Sequence, residues 1–385
     1  MVYDYSVALD LAQFGTKLLR LRSEQQVELA ELSAGSGILS DRLAALETGK
    51  AAPSGDEVLI LADFFKCDYR FFVSNERLAA SEQTESLYRR YGTEFTKSDR
   101  RAVLEFLYLC ECEHLLQEEL QVPKRPFSFV PDGQYYKGHA DLAAEALRSH
   151  FSYAPNAVPS DVYDDFRKIG FHVFRRRLEN SNISGITIRH PVAGICILVN
   201  YDEDIYRQRF TAAHEAAHGI LDSADDVIVS FSRTYRKEDL VEIRANHFAA
   251  CYLLPPSVIG AIPVSSWNRG AVLEWASRFK VSTRALAIAL KNANLIDAHT
   301  AAELSKASVP TAHKVDPELA NLSEAATTRK RELFQRGLSS SYVALCFEAF
   351  DRGLISGGRT AEMLLVGQLE LADLASLYRI NLQAR

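Results

Sequence analysis

Apolar positions recur at helical spacing along most of the chain and at strand spacing in one short stretch. Residues 1–76 hold four or five short amphipathic segments. One carries Leu18, Leu19 and Leu21, and the next Val27, Leu29, Ala30 and Leu32. After the break AGSG, a third carries Ile38, Leu39, Leu43 and Leu46 and stops at Gly49 and Pro53. A last apolar run, EVLILADFFK, precedes Asp68. Short helices with a glycine turn between the second and third predict a helix-turn-helix core.

Residues 77–135 read as a helical connector. SDRRAVLEFLYLCECEHLLQEEL begins at a Ser98 or Asp99 cap and keeps Val103, Leu107, Cys110 and His114 on one stripe. VPKRPFSFVPDGQ, with Pro123, Pro126 and Pro131, reads as a linker or an extended wrap. Residues 136–298 change character. Helical segments lead into GFHVFRRR, SGITIRH and GICILVN, short β-branched and aromatic runs that predict a small sheet. A helix containing TAAHEAAHGILD follows, then EDLVEIRANHFAACYLLP, ended by Pro255 and Pro256, then a helical pair. Residues 299–328, rich in Ala, Ser and Thr, read as a linker, and 329–385 as a C-terminal helical subdomain and candidate sensor. The predicted class is α+β, mostly helical.

Composition narrows the field. A length of 385 residues suggests two or three domains, and 47% hydrophobic with 24% charged residues is ordinary for globular chains. A net charge of −6 gives no global pull toward nucleic acid or anionic membrane. No run of 18 apolar residues predicts a membrane span, and MVYDYSVALDLAQFG lacks the build of a secretory signal. The six cysteines form no CxxC pair, the nearest spacing being Cys110 and Cys112. A cytoplasmic, soluble protein with reduced thiols and no membrane partner is expected.

TAAHEAAHGILD carries the chemistry. His214 and His218, four apart, share one helix face and can take two corners of a zinc tetrahedron. Glu215 points beside the metal, where it can take a proton from a metal-acidified water as the catalytic base. Glu242 on the next helix completes a His2Glu metal set, leaving the fourth position open as catalytic zinc requires. Asn246, one turn on, is placed to hydrogen-bond a ligand imidazole and fix its tautomer. Asp222, Asp225, Asp226, Glu238 and Asp239 are rival ligands in or near the inter-helix loop, and His247 is a further one. Ala216, Ala217 and Gly219 read as small residues that let the helix approach the sheet. Tyr252, Arg209 and His247 are candidate oxyanion donors. The remaining histidines are scattered and read as structural or exposed.

RQRFTAAHEAAH followed by EIRANHFAACYLLPP resembles the ImmA/IrrE family of zinc metallopeptidases. The matching positions are Arg209, Phe210, Thr211, Ala213, His214, Glu215 and His218, then Glu242, Ala245, Asn246, Phe248, Ala249, Leu253, Leu254 and Pro255. The chain departs at Ala216-Ala217, where many relatives carry a larger residue and then glycine. The resemblance spans about residues 138–296. It implies a zincin-like domain with a three-strand sheet before the motif, a Zn2+ cofactor and a regulatory endopeptidase. Its expected substrate is a protein, typically a helix-turn-helix repressor, whose cleavage switches on stress, mobile-element or defence genes.

ELSAGSGILSDRLAALETGKAAPS resembles the Xre/Cro-type helix-turn-helix repressors over about residues 11–75. That resemblance implies duplex-DNA binding and a possible homodimer, with Ser40, Asp41 and Arg42 opening the recognition helix. Residues 11–75, however, hold seven basic residues against nine acidic ones, a net −2, where DNA binding draws on a basic face. Two other readings stand beside the peptidase. One is a DNA-binding regulator with a non-catalytic, metallopeptidase-like sensor, and the other a scaffold or antitoxin-like protein gripping a small partner.

Overall fold

The computed structural model describes residues 9–378 except 68, 74–83, 85–86, 89, 133–135, 223–226, 232–239, 264–265, 315 and 320–321. The chain divides into two compact units, residues 1–108 and 109–385, the boundary falling inside one long helix. None of the described helices is long and apolar enough to cross a membrane.

In the first unit, α1 (Leu11–Glu24), α2 (Leu29–Ser36), α3 (Ser40–Glu47), α4 (Gly55–Phe65) and the single turn α5 (Arg70–Val73) enclose one apolar core. Leu18, Leu21, Val27, Leu32, Leu43 and Leu46 enter that core as their spacing predicts. Leu19 and Leu39 do not: they are 44% and 76% exposed. Between α2 and α3 the chain turns at Gly37, whose φ of 72° suits a residue without a Cβ. The Ser54–Glu57 capping box starts α4.

The second unit takes in the end of α6 (Lys97–Glu119) and is built on a four-stranded mixed sheet. The strands are β1 (His172–Arg176), β2 (Ile183–His190), β3 (Gly194–Asn200) and β4 (Val227–Phe231), in the order β1-β3-β2-β4. β1 runs parallel to β3, while β2 runs antiparallel to both β3 and β4. The strands are buried on both faces. Val173, Ile197 and Val199 face a core shared with α9 (Ile205–Leu221) and α10 (Leu240–Leu253). Phe174, alternating with them, meets Tyr342 of α16 (Ser340–Asp351). α7 (Tyr136–His150) packs along α10, and α8 (Val162–Lys168) leads into β1.

Ala212, Ala213, Ala216 and Ala217 of α9 are fully buried in this core, and the sheet meets the helix at Thr211, Glu215 and Gly219. At Gly219 a Cβ would stand 2.9 Å from Ile195 and 3.0 Å from Phe171, which accounts for a small residue there.

Two expectations change, and the two readings of the stretch after α6 resolve to one. The sheet gains a fourth strand, β4, after the motif helix. The 122–132 stretch is a wrap: Phe127 and Phe129 pack on the core, and the Arg125 amide donates to the Lys168 carbonyl. Residues 299–328 do not behave as a free linker. After α11 (Pro256–Gly260), α12 (Arg269–Phe279) and α13 (Thr283–Asn292), α14 (Ala298–Leu304) buries Ala301 and Leu304 in the core, followed by Ala307 and Val309. Short alanine-rich stretches read as linkers because their apolar area is small, yet alanine is what fits a close helix crossing. α15 (Glu324–Gln335), α16, α17 (Gly357–Met363) and α18 (Gln368–Leu377) complete the unit, with the Arg177 amide donating to the Gln335 carbonyl.

Candidate metal centre

One turn of α9 and the first turn of α10 bring His214, His218 and Glu242 together. His214 Nε2 lies 3.1 Å from His218 Nε2 and 3.2 Å from Glu242 Oε2, and His218 Nε2 lies 3.4 Å from Glu242 Oε1. Four ligands at about 2.0–2.1 Å from a zinc ion stand roughly 3.3 Å apart along each tetrahedral edge. The observed separations, which run to the two oxygens of Glu242, therefore have the size of tetrahedral edges. Two histidines and a carboxylate, nearly closed off from solvent, are also the donor types zinc accepts. The residues fit the metal.

Three alternate residues of β2 support α9 from one face. Gly185 leaves room for the catalytic candidate, since a Cβ there would stand 2.6 Å from Glu215 Oε1. The Thr187 hydroxyl donates to Glu215 Oε2 at 2.7 Å. Arg189 donates to the carbonyls of Gly219 and Asp222 at 2.9 Å, a cation at the helix C-terminus. Across the ladder from Gly185 sits Ser230 of β4, whose hydroxyl lies 3.1 Å from His214 Nε2. Glu215 is fully buried, with one carboxylate oxygen anchored by Thr187. Burial raises its pKa above the ordinary value, while His214, His218 and the Ser230 and Thr187 hydroxyls pull the other way.

The imidazole of His218 is oriented by Asp222 and not by Asn246. Asp222 Oδ2 lies 2.8 Å from Nδ1, on the side of the ring away from the cluster. Arg244 of α10 holds the other oxygen of Asp222. Asn246 turns back on its own helix, its Nδ2 donating to the Glu242 carbonyl at 2.9 Å. Asp222 thus leaves the set of rival ligands and takes the orienting place expected of Asn246. The other loop candidates, Asp225, Asp226, Glu238 and Asp239, lie outside the described residues. Burial works against a proton on His218, but Asp222 and Glu242 together raise its pKa to about 10. Burial also opposes charge on Glu242, and the two imidazoles outweigh it, holding the carboxyl well below its usual range.

The three oxyanion candidates are committed elsewhere. The Tyr252 hydroxyl donates to Asp165 at 2.7 Å, Arg209 donates to the Pro159 and Ser160 carbonyls, and His247 pairs with Asp141. Arg42 is likewise engaged, through a two-pronged pair with Glu57 at 2.7 and 2.8 Å and a bond to the Ala52 carbonyl. Ser40 is half-buried and Asp41 exposed at the start of α3.

Comparison with known proteins bears on the same region. Residues 166–291, from within α8 to within α13, match the peptidase family described as an IrrE N-terminal-like domain. This part of the chain is metallopeptidase-like. A 98-residue stretch is 37% identical to the radiation response metalloprotease IrrE of Deinococcus radiodurans, covering 24% of this chain. The match spans 30% of that relative's length.

Proposed function

We propose that the chain is a zinc-dependent regulatory endopeptidase acting on a protein partner, with a helix-turn-helix repressor as the substrate class. The observation that carries this reading is the convergence of His214, His218 and Glu242 donor atoms beside a buried Glu215 that stands outside the cluster. Zinc held there would acidify a water and polarise a peptide carbonyl. His214, His218 and Glu242 would hold the ion, and Asp222 keeps His218 Nδ1 occupied, leaving Nε2 for it. Thr187 fixes one oxygen of Glu215. The other, Oε1, takes the water proton and returns it to the leaving amide nitrogen.

Two measurements test this. Glu242→Ala should lower tightly bound zinc by one equivalent per chain; an unchanged zinc content would sink the reading. Glu215→Gln should keep the zinc yet abolish the new protein N-termini that wild type generates in cells. If Glu215→Gln alters gene expression as wild type does, the domain is a non-catalytic sensor.

For the first unit the charge distribution favours a protein partner over duplex DNA. Of the basic side chains in residues 11–75, Lys17, Arg20, Arg22, Arg42 and Lys66 are all engaged within the unit. Leu39, by contrast, is exposed at the head of α3. Binding of the full chain to random duplex DNA at low salt would overturn that preference.

A further inference from the structure

A second cluster lies where α7 meets α10. His247 and Cys251, four apart on α10, project to one face together, as His214 and His218 do on α9. Five and nine residues beyond Glu242, they sit roughly 140° and 180° around the helix from it. Asp141 of α7 meets them. Its Oδ1 lies 2.9 Å from His247 Nε2 and 3.0 Å from Cys251 Sγ, with Sγ and Nε2 4.0 Å apart.

This is not the line of a catalytic triad. There the histidine meets the nucleophile with one nitrogen and the carboxylate with the other. Here both partners address the same Nε2, so the ring cannot relay a proton between them. Three donor atoms instead converge on one point. Tetrahedral zinc with N and O at about 2.0–2.1 Å and S at about 2.3 Å sets donor separations of roughly 3.3–3.6 Å. The observed separations bracket that range, and movements of about half an ångström reach it. Asp141, with a side chain 49% exposed, is free to make them.

We propose that Asp141, His247 and Cys251 form a second metal site, distinct from the His214–His218–Glu242 centre, that binds a borderline-soft divalent ion such as zinc. A nitrogen, a sulfur and one oxygen do not suit magnesium or calcium, which take oxygen ligands. Binding releases the Cys251 thiol proton to solvent and leaves the fourth position to water. The ion ties α7 to α10, the helix that also carries Glu242. Because the site is half-open, its metal exchanges with the medium.

Cobalt(II) titration of the metal-free full chain tests the assignment. The first centre has no sulfur donor, so a thiolate-to-cobalt charge-transfer band in the near ultraviolet reports on Cys251. The band should appear in wild type and in Glu242→Ala, and vanish in Cys251→Ser. Asp141→Asn should weaken cobalt binding by about tenfold or more, as loss of one charged ligand of three implies. No band in wild type, a band that persists in Cys251→Ser, or unchanged affinity in Asp141→Asn would each overturn the site. A band that survives while the first centre takes no metal would leave this proposal standing and remove only the peptidase reading.

Discussion

Asp222 Oδ2 stands 2.8 Å from His218 Nδ1, and Arg244 holds the carboxylate from its other side. Such a carboxylate fixes the ring's tautomer and orientation, and its loss commonly costs about 10–100-fold in metal affinity. Asp222→Asn should therefore weaken zinc binding at the first centre by that factor. Asn246→Ala should change it by no more than about twofold, because among the described residues the Asn246 amide bonds back to its own helix. Competition against a chromophoric chelator reads both, and equal losses in the two variants would reverse the assignment.

Gly185 offers a second handle. Its missing Cβ is the space that Glu215 Oε1 and Cγ and the Thr211 methyl occupy at 2.6–2.8 Å. Gly185→Ala forces the carboxylate aside in a packed interior, an overpacking that costs about 1–3 kcal/mol. Zinc content should hold, since no ligand is touched, while thermal stability falls and cleavage fails. An alanine variant as stable and active as wild type would show that Glu215 has slack the geometry denies.

In the first unit, Glu57 links two features: it accepts from Arg42 and closes the capping box on Ser54. The Arg42 bond, opposed by some burial, pulls its pKa from 4.5 to about 2. A carboxyl depressed on folding adds stability above its unfolded pKa and loses it as pH falls through the folded one. Amide protection across α3 and α4 should thus decline as pH drops from 4.5 toward 2. The pair is part-exposed, so the effect is on the order of 1 kcal/mol or less. Glu57→Gln should show the lower protection already at pH 7 and little change in that window.

Much of the centre was legible because helical spacing is rigid. His214, Glu215 and His218 read directly from their i, i+1 and i+4 places, and the same rule places Asp222 four beyond His218, where it orients that ring. Asn246 misled because a site on the right helix says nothing of where a flexible amide turns. Gly185, Thr187 and Ser230 were out of reach: their role depends on the register of β2 against β4 and on which face meets α9. Leu19 and Leu39 share their segments with core residues yet stay exposed, since apolarity alone does not prevent exposure.

The 299–328 stretch contributes to a buried ion-pair network. Arg175 of β1, its side chain 2% exposed, pairs with Asp316 at 2.6 Å and with Glu318. Its guanidinium lies 4.7 Å from the Tyr163 ring centre and 4.8 Å from that of Phe334. Removing the cation alone strands two buried carboxylates, and breaking such a pair typically costs about 3–5 kcal/mol. Arg175→Met should lower the melting temperature by roughly 5–15 °C and open residues 311–319 to protease at neutral pH. Arg175→Lys keeps the charge but loses the planar fork that reaches both carboxylates, so it should fall between. Adding Asp316→Asn and Glu318→Gln to Arg175→Met should recover part of the loss, because no buried charge then remains unpaired. If the triple variant is no better than Arg175→Met, the cost lies in lost ring contacts and packing rather than in the stranded charges.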